Sequence, residues 1–170
     1  MRHLFAPWRH DWVTGAASGP VGGQEEGCLF CRVWGEPKAD DENLVVLRDR
    51  VLVMLNRYPY NGGHAMVAPR EHCGDLEGLP PESRAALIDA AARCCAAMRR
   101  LWRPDGFNLG FNIGRAAGAG IPEHVHLHVV PRWEGDTNFM TTAGGSRVVS
   151  TDLARLHREL RAAIAGSEAP

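Results

Sequence analysis

The sequence predicts an α+β fold, a mostly antiparallel five-stranded sheet with one long helix packed on it and a C-terminal helix. Short apolar segments rich in β-branched residues are separated by turn-length connections, which is typical of antiparallel strands. One longer segment repeats its apolar residues every three to four positions, as a helix does. The order of segments is three strands, a helix, two strands and a helix, which favours α+β over α/β.

The composition bounds the function. The chain has 170 residues, 45% of them hydrophobic, which suits one globular domain. A formal net charge of -1 argues against nucleic acid or an anionic membrane as partner. We find no apolar run long enough for a membrane span and no signal-peptide pattern, so we expect a cytoplasmic protein. Five cysteines, an odd number, do not suggest a disulfide framework.

The first half of the chain contains the predicted arm, a short helix and three strands. Gly, Pro and Ser residues make 1–27 an irregular N-terminal arm. Residues 28–36 suit a short helix that ends before Pro37. Strands are predicted at 43–49, 50–56 and 64–69, with a loop of turn residues at 56–63 before the third.

The second half contains the long helix and the last two strands. Pro80 and Pro81 suit the first turn of a helix that continues to about residue 102. Strands are predicted at 107–114 and 124–130, joined by a small-residue loop. A last helix is predicted from Thr151, as N-cap, to residue 165. We expect one domain over 28–140, followed by a C-terminal loop and helix over 141–170.

Three histidines alternate with aliphatic residues in the segment EHVHLHVVPRW. Alternate side chains of a strand share a face, so His124, His126 and His128 should point the same way. They could bind one catalytic zinc, or one could attack phosphorus while the others orient phosphates. The preceding segment favours the second reading, because it offers amide side chains and approachable backbone N–H groups. Those amides are Asn108 and Asn112, and Arg115 and Arg132 could add positive charge.

A second motif, Cys28-Leu-Phe-Cys31, is ambiguous from its spacing alone. A redox pair usually begins a helix after a strand in a βαβ unit, and that context is missing. Two thiolates and two imidazoles would complete a tetrahedral zinc site.

The pattern His124-Val-His126-Leu-His128-Val-Val resembles the signature of the histidine-triad (HIT) superfamily. Asn56 with Tyr58-Pro59, and the strand GHAMVAP at 63–69, resemble the nucleoside-binding part of that family. The segment PRWEGDTNFM at 131–140 is most similar to bacterial diadenosine-tetraphosphate phosphorylase-like members. The resemblance covers roughly 28–140 and implies the HIT-like fold.

The resemblance also implies a mechanism. His126 would attack the α-phosphorus and form a nucleotidyl-histidine, and His128 would contact the phosphate and leaving group. The implied reaction is phosphorolysis of diadenosine tetraphosphate to ATP and ADP. The alternatives are hydrolysis of dinucleoside polyphosphates or nucleoside phosphoramidates, or a non-catalytic nucleotide-binding module. Asn56 is expected to contact the ribose, and Leu47, Leu55 or Phe30 would lie near the base. The phosphates would be contacted by Asn112, Gly118 and Gly120. Trp133 would shape the site toward dinucleotides.

Two further expectations follow from the resemblance. A structural zinc would be bound by Cys28, Cys31, His72 and His124, with no organic cofactor. The partners would be an adenine nucleotide or dinucleoside polyphosphate, inorganic phosphate as a candidate acceptor, and a second copy of the chain. In that homodimer two sheets would join at the long helix and an adjoining strand. His64 is assigned only a structural role.

Overall fold

A computed structural model of the chain describes residues 27–136 and 152–166. Of these, 28–136 and 152–166 belong to one compact unit. Its five strands form one sheet in the order β1-β2-β3-β5-β4, with every neighbouring pair antiparallel. The strands are β1 Val45–Arg48, β2 Val51–Leu55, β3 Ala65–Pro69, β4 Gly106–Phe111 and β5 Leu127–Arg132. The helices of the described part are α1 Leu29–Gly35, α2 Pro81–Trp102 and α3 Leu153–Ala165. The predicted α+β fold is confirmed.

Strands β2 and β3 are buried along their whole length, because apolar cores cover both faces of the sheet. The larger core packs one face against α2 and α3 and includes Val53, Val67, Leu87 and Leu160. The smaller core packs the other face against α1, with Phe30 at its centre. His128 pairs with Met66, a member of the smaller core, and so lies on the α1 face.

Helix α1 is short and is held to the sheet by polar contacts. The Arg48 guanidinium donates to the carbonyls of Val33 and Trp34 at the C-terminal end of the helix. Cations near a helix C-terminus and donors to its last carbonyls are both stabilising. The Trp34 indole N–H donates to the Pro69 carbonyl at 3.3 Å. These contacts place the CxxC segment over the end of β3.

Strand β5 begins three residues later than predicted, so His124 and His126 precede it. The ladder with β4 ends at the Phe111–Leu127 pair, after which the chain enters the 112–120 loop. Val125 N–H instead donates to the Cys73 carbonyl at 2.7 Å, in the loop that follows β3. The predicted N-cap at Thr151 is wrong by one residue, because the Asp152 carboxylate accepts from Arg155 N–H.

The N-terminal arm predicted at 1–27 and the boundary predicted at 140 lie outside the described residues, apart from Gly27. None of the described helices has the length and apolar composition of a membrane span.

Candidate active site and metal site

Four metal-ligating side chains converge where α1 meets the end of β3. The ligand atoms of Cys28, Cys31, His72 and His124 all lie within 4.8 Å of one another. His124 Nδ1 is 3.3 Å from Cys28 Sγ and 3.7 Å from Cys31 Sγ, and His72 Nδ1 is 3.3 Å from Cys31 Sγ. A tetrahedral zinc with ordinary Zn–S and Zn–N bonds separates its ligand atoms by about 3.4–3.8 Å. The four residues therefore fit a zinc ion in chemistry, and three of their separations lie close to this range.

The protein orients His124 before any ion binds. Its Nε2 lies 3.0 Å from the Pro69 carbonyl, which can only accept, so Nε2 carries the proton. Nδ1 therefore presents its lone pair to the two thiols, and a carbonyl partner of this kind is typical of metal-binding histidines. Burial lowers the pKa of His124 and raises the pKa of the Cys28 thiol.

The loop containing His72 is tied to the histidine segment by backbone contacts. Beside the Val125–Cys73 hydrogen bond, Gly74 packs so closely on the Pro122 carbonyl that a Cβ at 74 would lie 2.7 Å from its oxygen. A side chain at that position would push the two loops apart. Glycine at 74 thus allows His72 and His124 to approach the same point.

His126 has one nitrogen engaged and one available. Nδ1 donates to the His124 carbonyl at 2.9 Å, so the neutral ring has its lone pair on Nε2. No described residue hydrogen-bonds that Nε2. Since no buried side-chain nitrogen or oxygen of the described residues lacks a partner, Nε2 must be accessible. Burial also lowers the pKa of His126, although the hydrogen bond to the His124 carbonyl opposes this shift.

His128 belongs to a hydrogen-bonded chain that sets its tautomer. Tyr60 N–H donates to His64 Nδ1 at 3.1 Å, so His64 carries its proton on Nε2. His64 Nε2 lies 2.9 Å from His128 Nδ1 and must donate to it. His128 therefore has its own proton on Nε2 and can donate it to an oxygen. Burial, followed by the charge of His126, lowers the pKa of His128 to about 4, so it is neutral at pH 7.

Asn112 lies beside this donor, as the sequence predicts. Its Nδ2 is 3.4 Å from His128 Nε2, and because both groups are N–H donors in this tautomer, the amide must turn so that its oxygen accepts from His128 Nε2. The following loop is a tight turn in which the N–H groups of residues 117–119 bond back to Gly114 and Arg115. Gly118 N–H is thus used within the turn, and its φ of 83° is where glycine is favoured. Gly118 shapes the loop, whereas exposed Gly120 has no backbone hydrogen-bond partner for its N–H among the described residues.

The other predicted substrate-binding residues do not all lie on the same face of the sheet as the three histidines. Asn56 N–H donates to the His64 carbonyl at 2.9 Å, and the Asn56 side-chain oxygen accepts from Tyr58 N–H. Leu47 and Leu55 pack in the core under α2 and α3, so they are not on the histidine face. Phe30 is on that face and lies 4.9 Å from the His126 ring, but it is fully buried.

Trp133 directly follows β5, and its indole N–H donates to the Trp102 carbonyl at 3.3 Å, at the C-terminal end of α2. Arg132 does not offer an unpaired charge, because it makes two hydrogen bonds to Asp136 and one to Asn108. Residues after a strand can follow a turn away from it, and here the turn at 133–136 does so.

Sequence reasoning missed the place of His64, which is fully buried against His128. Its contact depends on the pairing of β3 with β5, in which Met66 faces His128. A single sequence does not give the register between strands that are far apart in the chain. The only local signal was a histidine directly before a buried strand.

Comparisons with known proteins agree with this geometry. A family profile described as the HIT domain matches residues 38–135. An AP-4-A phosphorylase of Mycobacterium tuberculosis is 46% identical over 112 residues, which is 65% of this chain and 57% of that protein. The chain thus matches little more than half the length of that relative. An adenosine 5'-monophosphoramidase of Saccharomyces cerevisiae is 25% identical over 142 residues, covering 83% of this chain and 85% of that one.

Solved structures of histidine triad proteins superpose on this chain. A Zn-bound histidine triad family protein from Mycobacterium smegmatis superposes with a TM-score of 0.68 and 33% identity, covering 84% of this chain and 96% of that chain. A histidine triad nucleotide-binding protein from Sulfolobus tokodaii superposes with a TM-score of 0.65 and 26% identity, covering 82% and 93%.

Proposed function

Because the chain belongs to the HIT domain family, we propose that it is a nucleotidyl transferase or hydrolase acting on dinucleoside polyphosphates. The specific reaction is phosphorolysis of diadenosine tetraphosphate to ATP and ADP. One observation carries the proposal. Of the six ring nitrogens of His124, His126 and His128, only Nε2 of His126 has no partner among the described residues. This nitrogen has a lone pair and is accessible, as a nucleophile must be.

The first chemical step joins His126 to phosphorus. The Nε2 lone pair attacks the α-phosphorus, and the bond from phosphorus to the bridging oxygen breaks. The electron pair of that bond leaves with the nucleoside polyphosphate. In the second step, inorganic phosphate attacks the same phosphorus, and the bond to Nε2 breaks to give a nucleoside diphosphate. Two in-line displacements retain the configuration at phosphorus.

His128 stabilises the departing oxygen as a hydrogen-bond donor. It is neutral at pH 7 and carries its proton on Nε2, so it donates a hydrogen bond without transferring the proton. A departing phosphate needs no more than this, because it leaves as a stable anion. A departing amine needs a full proton. The neutral donor therefore favours polyphosphates over phosphoramidates.

The remaining binding roles follow from the positions of the polar groups. Asn112 beside His128, with the Gly120 N–H, orients the phosphate oxygens. Asn56 retains its side-chain N–H groups for the ribose, since its oxygen is bonded to Tyr58 N–H. Trp133 is proposed to shape the site toward dinucleotides, and Gly118 to act through the shape of the loop.

We propose that Cys28, Cys31, His72 and His124 bind a structural zinc ion. The ion would supply a fixed tetrahedral centre and no reaction step. Zinc binding would connect α1 to the segment that contains His126 and so keep His126 in position. The similarity to a Zn-bound histidine triad family protein from Mycobacterium smegmatis supports zinc as the metal.

We also propose a homodimer formed at β4. This strand is at the edge of the sheet and exposes Leu109 by 49%, and the nearby Ile113 is also exposed. An exposed apolar edge strand usually pairs with another chain. Leu109→Arg should convert a dimer to a monomer in analytical ultracentrifugation, and a wild-type monomer would reject this part of the proposal.

A second candidate is hydrolysis of adenosine phosphoramidates in the cytoplasm, favoured by the similarity to the yeast monophosphoramidase. One assay separates the alternatives. The protein is incubated with diadenosine tetraphosphate, with and without phosphate, and separately with adenosine 5'-phosphoramidate. ADP and ATP that form only with phosphate indicate a phosphorylase, and AMP and ATP without phosphate indicate a hydrolase. Turnover of the phosphoramidate alone supports the second candidate. Nucleotide binding without turnover indicates a non-catalytic module.

A further inference from the structure

The Tyr60 ring lies flat on His64, the histidine that bonds to His128. The two ring centroids are 4.8 Å apart and the ring planes differ by 16°, which is a stacked arrangement. The Tyr60 ring is also 5.8 Å from the His128 ring. It remains 39% exposed, whereas His64 beneath it is 1% exposed. Among the described residues, Tyr60 therefore lies between His64 and solvent.

Tyr60 contacts His64 in two independent ways. Its backbone N–H donates to His64 Nδ1, and its ring covers the face of the same imidazole. The loop is held on both sides, because the Asn61 side chain donates to Pro131 O and to Asp136, and Asn56 accepts from Tyr58 N–H. The Tyr60 hydroxyl has no hydrogen-bond partner among the described residues. The Tyr60 side chain therefore contacts the two histidines through its ring.

We propose that the Tyr60 ring is a positioning element for the proposed reaction, acting on His128 through His64. The stacked ring prevents His64 from tilting and keeps water from its hydrogen bond to His128 Nδ1. His64 then holds the donating proton of His128 on Nε2, directed at the departing oxygen. This inference rests on the proposed function for its kinetic consequence, but the tautomers it predicts exist without substrate.

The test uses Tyr60→Ala, Tyr60→Leu and Tyr60→Phe in the full chain. Loss of the aromatic face in the first two should lower kcat for diadenosine tetraphosphate about tenfold with little change in KM, which is the scale of an aromatic pair converted to a rate. Tyr60→Phe retains the ring and should stay within about twofold of wild type. Arg50→Ala is the control and should keep the wild-type kcat, because Arg50 is exposed in the turn between β1 and β2, outside the proposed site.

A second readout does not depend on turnover. Proton–nitrogen NMR of the histidine rings should show a single Nε2-protonated tautomer at His64 and His128 in wild type and Tyr60→Phe. Tyr60→Ala and Tyr60→Leu should show mixed tautomers. Unchanged tautomers in these two variants, unchanged kcat, or an equal loss in Tyr60→Phe would overturn the inference. If wild type does not turn over the substrate, the proposed function fails, while the NMR comparison still decides the role of Tyr60.

Discussion

His124 and His126 are two residues apart, yet their surroundings prepare them for different chemistry. Both are almost completely buried, and both rings lie about 5 Å from Phe30, at 5.0 Å and 4.9 Å. Burial lowers the pKa of both. They differ in what their nitrogens contact. His124 has thiols at one nitrogen and a carbonyl at the other, whereas His126 has a carbonyl at one nitrogen and no described partner at the other.

In each histidine, the backbone carbonyl that accepts a hydrogen bond decides which ring nitrogen carries the proton and which has the lone pair. For His124 the carbonyl of Pro69 fixes the proton on Nε2, so the lone pair on Nδ1 points to the cysteines. For His126 the carbonyl of His124 fixes the proton on Nδ1, so the lone pair on Nε2 points outward. Opposite tautomers of one side chain thus suit His124 to the proposed metal site and His126 to the proposed role of nucleophile.

The largest expected effect comes from removing the outward lone pair. His126→Asn should lower kcat for diadenosine tetraphosphate by about 10⁴-fold or more, because no covalent intermediate can form. Steady-state kinetics measure this loss. The variant should still bind one zinc equivalent, which shows that the other histidine is intact. Turnover close to wild type would remove His126 as nucleophile.

The next effect tests the metal-binding side of the comparison. Cys28→Ser/Cys31→Ser should lose one equivalent of zinc, measured by elemental analysis, because the remaining imidazoles cannot complete a tetrahedral site. Its Tm should fall by about 10 °C, since metal binding and folding are coupled. Cys94→Ser is a control outside the cluster and should keep its zinc. Retention of zinc by the double variant would reject these ligands.

A third prediction concerns the hydrogen bond that sets the tautomer of His128. His64→Leu should lower kcat about 100-fold, the scale of one lost oriented donor. His64→Gln can place an N–H near the position of the histidine Nε2 and should recover part of the loss. Equal rates in wild type and His64→Leu would show that His128 needs no fixed partner.

The shared face of the three histidines could be predicted from the alternation with aliphatic residues, which continues through His124 and His126 although the strand itself begins at Leu127. The five strands and the helices were also predicted, since apolar periodicity decides them. The features that the sequence did not predict depend on contacts between residues distant in the chain. Tyr60 and His64 meet His128 only through the β3–β5 register. The late start of β5 has the same origin, because its partner strand ends at Phe111.

The smallest predicted effect is the pH dependence of stability. The pKa of His128 is lowered to about 4 in the folded protein, so the unfolded chain binds more protons between pH 6.5 and 4. The free energy of unfolding should therefore fall as pH falls through this range, by at most about 1.4 kcal/mol per pH unit from this residue. His128→Asn should reduce that slope in urea unfolding at pH 7 and pH 5.5. Because the charge of His126 also contributes to this shift, the change in slope reports on the two histidines together, and an unchanged slope would contradict the low pKa of His128.

The most direct measurement is the position of the nucleotide in the covalent intermediate. Wild-type protein is mixed with diadenosine tetraphosphate without phosphate, quenched in alkali to preserve the acid-labile phosphorus–nitrogen bond, digested and examined by mass spectrometry. We expect one adenylyl group per chain, on His126 in the peptide that also contains His124 and His128. An adenylyl group on another residue would contradict the assignment, as would turnover in which rapid quenching detects no adduct.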